Sequence, residues 1–163
     1  MRSHARHSLL FALFGLVGCA SDTALHSNNA ENVEAACARL IMDYALYRDQ
    51  GNGEALANLF TEDAVLLMNG ETFTGHTALK ARATNSSDSP FLTHLMSTVQ
   101  IYPESVSRAR GLSYVSVYLG SPGAAAAKRA SLAAVGEYRD QFIKTNQGWK
   151  IARREYVSRI TFQ

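Results

Sequence analysis

Cysteine is the scarcest reactive residue in this chain, which carries only Cys19 and Cys37. Cys19 closes an apolar N-terminal stretch, so Cys37 alone is left for the body of the protein and no intramolecular disulfide is possible there. Cys37 falls on the apolar stripe of a predicted helix, where a buried structural thiol is expected rather than a nucleophile. Histidine is sparse too. Beyond the leader only His26, His76 and His94 remain, none paired at ligand spacing, and no metal site is read. A surplus of positive charge is also missing. The 16 Lys and Arg face 14 Asp and Glu, but Arg2 and Arg6 belong to the leader, and 16 − 2 leaves 14 against 14. No basic stripe is left to argue for nucleic acid. Gly51-Asn52-Gly53 reads as a helix break, not as a glycine loop for phosphates, so no nucleotide cofactor is expected. There are no internal repeats and no second apolar run long enough to cross a membrane.

What is present begins with that leader. Arg2 and Arg6 precede an uncharged apolar run that ends in Leu16-Val17-Gly18-Cys19. The run is short for a bilayer span and suits a secretory segment. Its end looks like a bacterial lipobox, which implies a signal peptide over 1–18 and lipidation at Cys19. Ala20 after the cysteine then implies the outer membrane, facing the periplasm. Residues 19–30 read as the lipidated cysteine and a flexible tether, at most about 35 Å when extended. Residues 31–163 suit one domain with one core.

Residues 32–49 carry the strongest helical pattern. Val33, Cys37, Leu40, Tyr44 and Tyr47 recur at three- and four-residue spacing, with Glu34 and Arg48 away from that face. A short helix over 54–60, a turn at Thr61-Glu62-Asp63 and a strand over 64–68 follow. Asn69-Gly70 marks a two-residue hairpin into 71–74. A third helix is predicted over 75–84, then a polar loop over 85–90. Four strands complete the chain, over 94–102, 112–119, 131–144 and 149–161, the middle two separated by a break at 120–123 and an alanine-rich bridge at 124–127. Helices first and antiparallel strands after them predict an α+β domain whose sheet curls around the long helix.

This order resembles the nuclear transport factor 2-like superfamily, and within it the SnoaL-like branch of polyketide cyclases and dehydratases. The resemblance rests on the stretch from Tyr44 through Asp49, Phe60 and Asp63, on Gly70 to Gly75 before the third helix, on His94 opening its strand, and on Gly136-Glu137-Tyr138-Arg139-Asp140 followed by Gly148-Trp149 and Arg153-Arg154. It implies a cone: a curved, mostly antiparallel sheet wrapped around the first helix, with a deep pocket at the open end. It also implies a tyrosine and an aspartate from the helix meeting a histidine from the sheet, here Tyr44, Asp49 and His94. The family's second acid–base group, on the next strand, is not matched; Ser116, Val117 and Tyr118 lie there. Four residues after the histidine, where relatives often carry asparagine, stands Thr98.

The residues themselves leave two readings open. His94 is a catalytic base oriented by Asp49, or a hydrogen-bonded core histidine. Asp49 orients that ring, or caps the following helix or pairs with Arg48. Tyr44 donates to a developing oxyanion, or simply packs. Tyr47, Thr98 and Tyr138 complete the candidate set as ligand contacts. Arg153 is expected to pair with Glu137 or Asp140 across the sheet, and His76 to cap a helix or face solvent. The function implied is that of an exported dehydratase or isomerase for a small apolar ligand, without metal or nucleotide cofactor. The alternative is a non-catalytic periplasmic module that binds a ligand or a partner. A homodimer is expected, since many relatives pair through the sheet.

Overall fold

The computed structural model describes residues 20–84, 91–120 and 130–160, with side chains from Val33 onward. The expected signal peptide over 1–18, Cys19, the expected loop over 85–90 and the expected alanine-rich bridge over 124–127 lie outside the described residues.

The first helix, α1 (Ala20–Asp49), starts twelve residues before Asn32. The backbone of 20–30, read from its composition as a tether, is therefore helical. Nothing there breaks a helix, since the segment holds no Gly or Pro. Its lack of apolar periodicity says only that it has no face to bury. From Val33 on the stripe does bury, with Cys37, Ile41, Tyr44 and Ala45 inside. A left-handed Gly51, with φ of 66°, ends the helix. The amide of Gly51 donates to the Arg48 carbonyl and that of Asn52 to Tyr47, the paired bonds of a glycine-terminated helix. Asn52 then caps α2 (Gly53–Ala57), its side chain accepting from the Ala55 amide at 3.1 Å. This tight join fixes Asp49 at the last turn of α1.

The predicted second helix is shorter than expected, because Phe60 already begins β1 (Phe60–Met68). Thr61-Glu62-Asp63 is not a free turn but part of that strand, at the place where its pairing is interrupted. Asn69 and Gly70, both with positive φ, make the predicted tight turn into β2 (Glu71–Thr74). Then come α3 (Gly75–Ala83), β3 (Leu92–Ser105), β4 (Arg108–Leu119), β5 (Ser131–Thr145) and β6 (Gly148–Ile160). The strands form one curved sheet in the order β2-β1-β6-β5-β4-β3, antiparallel except for β1 against β6. The fold is the predicted α+β cone, with α1 lying against β3, β4 and β6. Between them sits a core that includes Ile41, Leu56, Phe60, Leu66, Leu79, Val115, Phe142 and Ile151. Each such side chain taken from water stabilises the fold by roughly 1.5–3 kcal/mol before entropy is counted.

Two bulges decide which residues face inward. On β3, Ser97 pairs with Tyr114 and Gln100 with Leu112, so β3 carries one extra residue there. On β6, Arg153 pairs with Gln141 and Ile151 with Phe142, so Ala152 is extra. Since side chains alternate along a strand, one extra residue moves everything beyond it to the opposite face.

Candidate functional site

Asp49 and His94 meet as the sequence predicts. Both oxygens of the carboxylate are used by the histidine: Oδ1 lies 2.5 Å from Nδ1, and Oδ2 accepts the His94 backbone N–H at 2.9 Å. A carboxylate at the carbonyl end of a helix is unfavourable by about 0.3–1 kcal/mol. Bonding to His94 offsets that cost and gives Asp49 a single orientation. With Asp49 ionised, Nδ1 carries the ring proton and Nε2 keeps its lone pair. The His94 side chain is 8% exposed and that of Asp49 24%, so the pair is shielded but reachable.

His94 lines a cavity of about 150 Å³ that opens at one end. Tyr44 and Tyr138 share its wall, with Tyr156, Met68, Leu92 and Val117. The ring of Tyr44 meets that of Tyr138 edge-on at 5.6 Å, and Tyr138 meets Tyr156 at 5.7 Å. Burial, then the neighbouring Tyr44, pushes the Tyr138 phenol well above the usual tyrosine range, so it is a neutral hydrogen-bonding group. Behind these rings Arg154 is fully buried, its guanidinium 4.2 Å from the Tyr44 ring centre and 4.5 Å from that of Tyr138. Burial pulls the pKa of Arg154 down, but the Asp140 carboxylate overrides it and leaves the guanidinium above the ordinary arginine value.

Of the expected ligand contacts, Tyr138 lines the cavity and the other two do not. Thr98 is exposed on the outer side of β3, with a φ of 49°. Strict alternation from His94 puts residue 98 inward, but the bulge hands that face to Val99 and Ile101. Tyr47 packs against the core rather than into the cavity. Arg48, expected to point away from the apolar face, lines the cavity instead. It lies four residues after Tyr44, so the helix brings it to the same side one turn further on.

The second bulge corrects the arginine reading. Counting inward positions from Ile151 leads to Arg153, but the extra Ala152 makes Arg154 the inward residue. Arg154, not Arg153, binds Asp140, while Arg153 lies in an outer groove beside Arg139 and Glu155. Glu137 pairs with Arg139 and Arg159. His76, expected at a cap or in solvent, is half-buried with Nε2 3.0 Å from the Phe60 carbonyl oxygen. Sequence reasoning also missed Arg82, which lines the cavity from the last turn of α3. Its place one turn after Leu79 on the inner side of that helix was the available signal. Among the described residues no cluster of His, Cys, Asp and Glu could hold a metal ion.

A model of the SnoaL-like domain matches residues 32–155, which is most of the chain and includes every cavity residue named above except Tyr156. The chain belongs to the SnoaL-like family. A candidate scytalone dehydratase from Novosphingobium aromaticivorans is 24% identical, with a TM-score of 0.72 over 83% of this chain and 90% of its own. A nuclear transport factor 2-like protein with a cystatin-like fold from the same organism is 22% identical, with a TM-score of 0.74 over 89% and 94%. The protein LinA is 17% identical, with a TM-score of 0.70 over 82% and 90%. At these identities the likeness establishes the fold. Among curated proteins none matches. Within this SnoaL-like domain the residue opposite His94 on β4 is Val117, which is apolar.

Proposed function

We propose that this SnoaL-like domain is an acid–base enzyme, a dehydratase or isomerase, that works on a small, largely apolar ligand without metal or nucleotide cofactor. The observation that carries the reading is the two-point hold of Asp49 on His94, which leaves Nε2 as the acceptor in a cavity of one-ring size. In this scheme Nε2 removes a proton from a carbon next to a carbonyl. Asp49 stabilises the imidazolium that forms, and the Tyr44 hydroxyl donates to the developing oxyanion. The proton then returns to another carbon, giving isomerisation, or to a departing hydroxyl, giving dehydration. The fold shared with a candidate scytalone dehydratase is consistent with this class.

The test is proton exchange. Small cyclic ketones and hydroxyketones incubated with the protein in D₂O are followed by NMR. Enzyme-dependent deuteration that falls by roughly 10²–10⁴ in His94→Ala supports the mechanism. Exchange that persists unchanged in that variant removes it.

A second reading is favoured by Val117. With an apolar residue opposite His94, the cone could serve as a non-catalytic binding or assembly module. Ligand binding without any exchange across the panel would select it. For the whole protein we further propose export, lipidation at Cys19, an outer-membrane anchor facing the periplasm, and a homodimer formed through the outer sheet face. Palmitate labelling of wild type against Cys19→Ser tests the anchor, and light scattering tests the dimer.

A further inference from the structure

A glycine stands at an inward position of β5 beside the cavity that holds His94. Ala134, Gly136 and Tyr138 alternate along the strand, so all three face the same side. Ala134 and Tyr138 line the cavity, and Gly136 between them does not. The ring of Tyr156, from the neighbouring β6, covers it. A Cβ placed on Gly136 would lie 2.6 Å from Cζ of that ring and 2.7 Å from its hydroxyl oxygen, too close for any real Cβ. The backbone does not require glycine here. The positive-φ glycines among the described residues are Gly51, Gly70, Gly75 and Gly148. Glycine weakens the interior of a strand, and where it occurs without a turn it often marks the close approach of another group. At Gly136 that group is the Tyr156 phenol.

Tyr156 reaches Gly136 diagonally. Its cross-strand partner is Tyr138, whereas Gly136 pairs with Ser158. The ring is therefore seated between two neighbours on β5, the bare backbone of Gly136 and the ring of Tyr138 at 5.7 Å. From that seat it forms part of the cavity wall. With the phenol in place the cavity measures about 150 Å³. That is the size of cavities known to accept one benzene ring, about 150 Å³. Behind the phenol lies only glycine, so removing the phenol adds the space of a second ring beside the first.

We infer that Tyr156, seated on Gly136, is the specificity-determining residue of this site and restricts the ligand to a single unfused ring. This rests on the reading of the cavity as the ligand site, and it narrows the ligand class from small and apolar to single-ring. Protein interiors are too closely packed to absorb a fused ring by small shifts. One surplus methylene already changes selection in an apolar pocket by roughly 10–200-fold.

Calorimetric titration of the full-length protein with cyclohexanone and 1-decalone tests the width of the site. The second ring of 1-decalone is fused beside the carbonyl, so it widens the ligand instead of trailing toward the opening. Wild type is expected to bind cyclohexanone roughly tenfold or more tightly, although the larger ketone buries more apolar surface wherever it fits. Tyr156→Ala, checked for fold by circular dichroism, should reverse the order. The milder Tyr156→Leu should fall between wild type and Tyr156→Ala. The double variant Gly136→Leu/Tyr156→Ala refills the hollow from the neighbouring strand and should restore the wild-type order. Equal binding of the two ketones by wild type, an order unchanged in both Tyr156 variants, a double variant that still prefers 1-decalone, or no binding of cyclohexanone would each overturn the inference. A protein that selects cyclohexanone yet shows no proton exchange would sink the enzymatic reading alone. One that exchanges protons on both ketones alike would sink this inference alone.

Discussion

Arg154 and Asp140 form a two-bond ion pair inside the protein. Nε donates to Oδ1 at 2.7 Å and Nη2 to Oδ2 at 2.8 Å, and neither side chain has any exposed surface. The pair neutralises itself, so it adds no net charge to the cavity. Its contribution there is mechanical. The guanidinium plane fills the space between Tyr44 and Tyr138 and holds both rings at the cavity wall.

Removing one member should be far worse than removing both. Asp140→Ala leaves a guanidinium charged and unpaired in the core, at a cost of about 3–5 kcal/mol. The double variant Asp140→Leu/Arg154→Met leaves no charge and keeps most of the volume. It should be more stable than Asp140→Ala, and urea denaturation measures the order. A double variant less stable than the single one would show that the pair itself, not the stranded charge, carries the stability.

Thr98 offers a substitution that should improve the protein. A β-branched residue at a φ of 49° is strained, whereas asparagine tolerates this conformation. Thr98→Asn should raise stability by about 0.5–1 kcal/mol. Because Thr98 is exposed and outside the cavity, ligand affinity should not change. Thermal unfolding and the ketone-concentration dependence of proton exchange in the same variant check both statements, and a large loss of affinity would return Thr98 to the binding surface.

The pattern of what could be read from the chain follows from the same geometry. The helix carrying Tyr44 and Asp49, the Asn69-Gly70 hairpin and the strand of His94 all obey short-range rules, and each lies where periodicity predicts. The two wrong assignments along strands, Thr98 and Arg153, both lie just past a bulge. A bulge leaves the composition of a strand unchanged while reversing its faces, so alternation read from the sequence carries no warning of it. Arg48 and Arg82 were missed for another reason. Arg48 reads as lying away from the apolar stripe, Arg82 follows Leu79 by one turn with nothing to mark it as a site residue, and only the assembled cone reveals that α1 and α3 converge on one cavity.

Cys37 gives a prediction about pH. Burial, then the Asp140 carboxylate, pushes its thiol from 9.0 to about 12. The folded state thus holds the proton that the unfolded chain releases. Stability from this source is complete below pH 9 and is lost as pH rises from about 9 to about 12. Cys37→Ala should therefore lose less stability over that interval than wild type, as measured by urea midpoints at matched pH. In a Cys19→Ser background, native protein should also resist iodoacetamide at pH 8 and react once unfolded. Rapid labelling of the native state would contradict the buried assignment.

The sharpest test of the dyad changes only one atom. Asp49→Asn preserves size and the acceptor for the His94 backbone N–H, but its amide N–H₂ can face Nδ1 as a donor. Nδ1 then becomes the acceptor, and the ring proton moves to Nε2. Nε2 now points a proton, not a lone pair, into the cavity, and it cannot serve as a base. Proton exchange should fall by roughly 10²–10⁴, close to the loss in His94→Ala, and the double variant should lose little more. If Asp49→Asn kept wild-type exchange, the carboxylate would not be setting the tautomer, and the two-point hold on His94 would be a structural contact only.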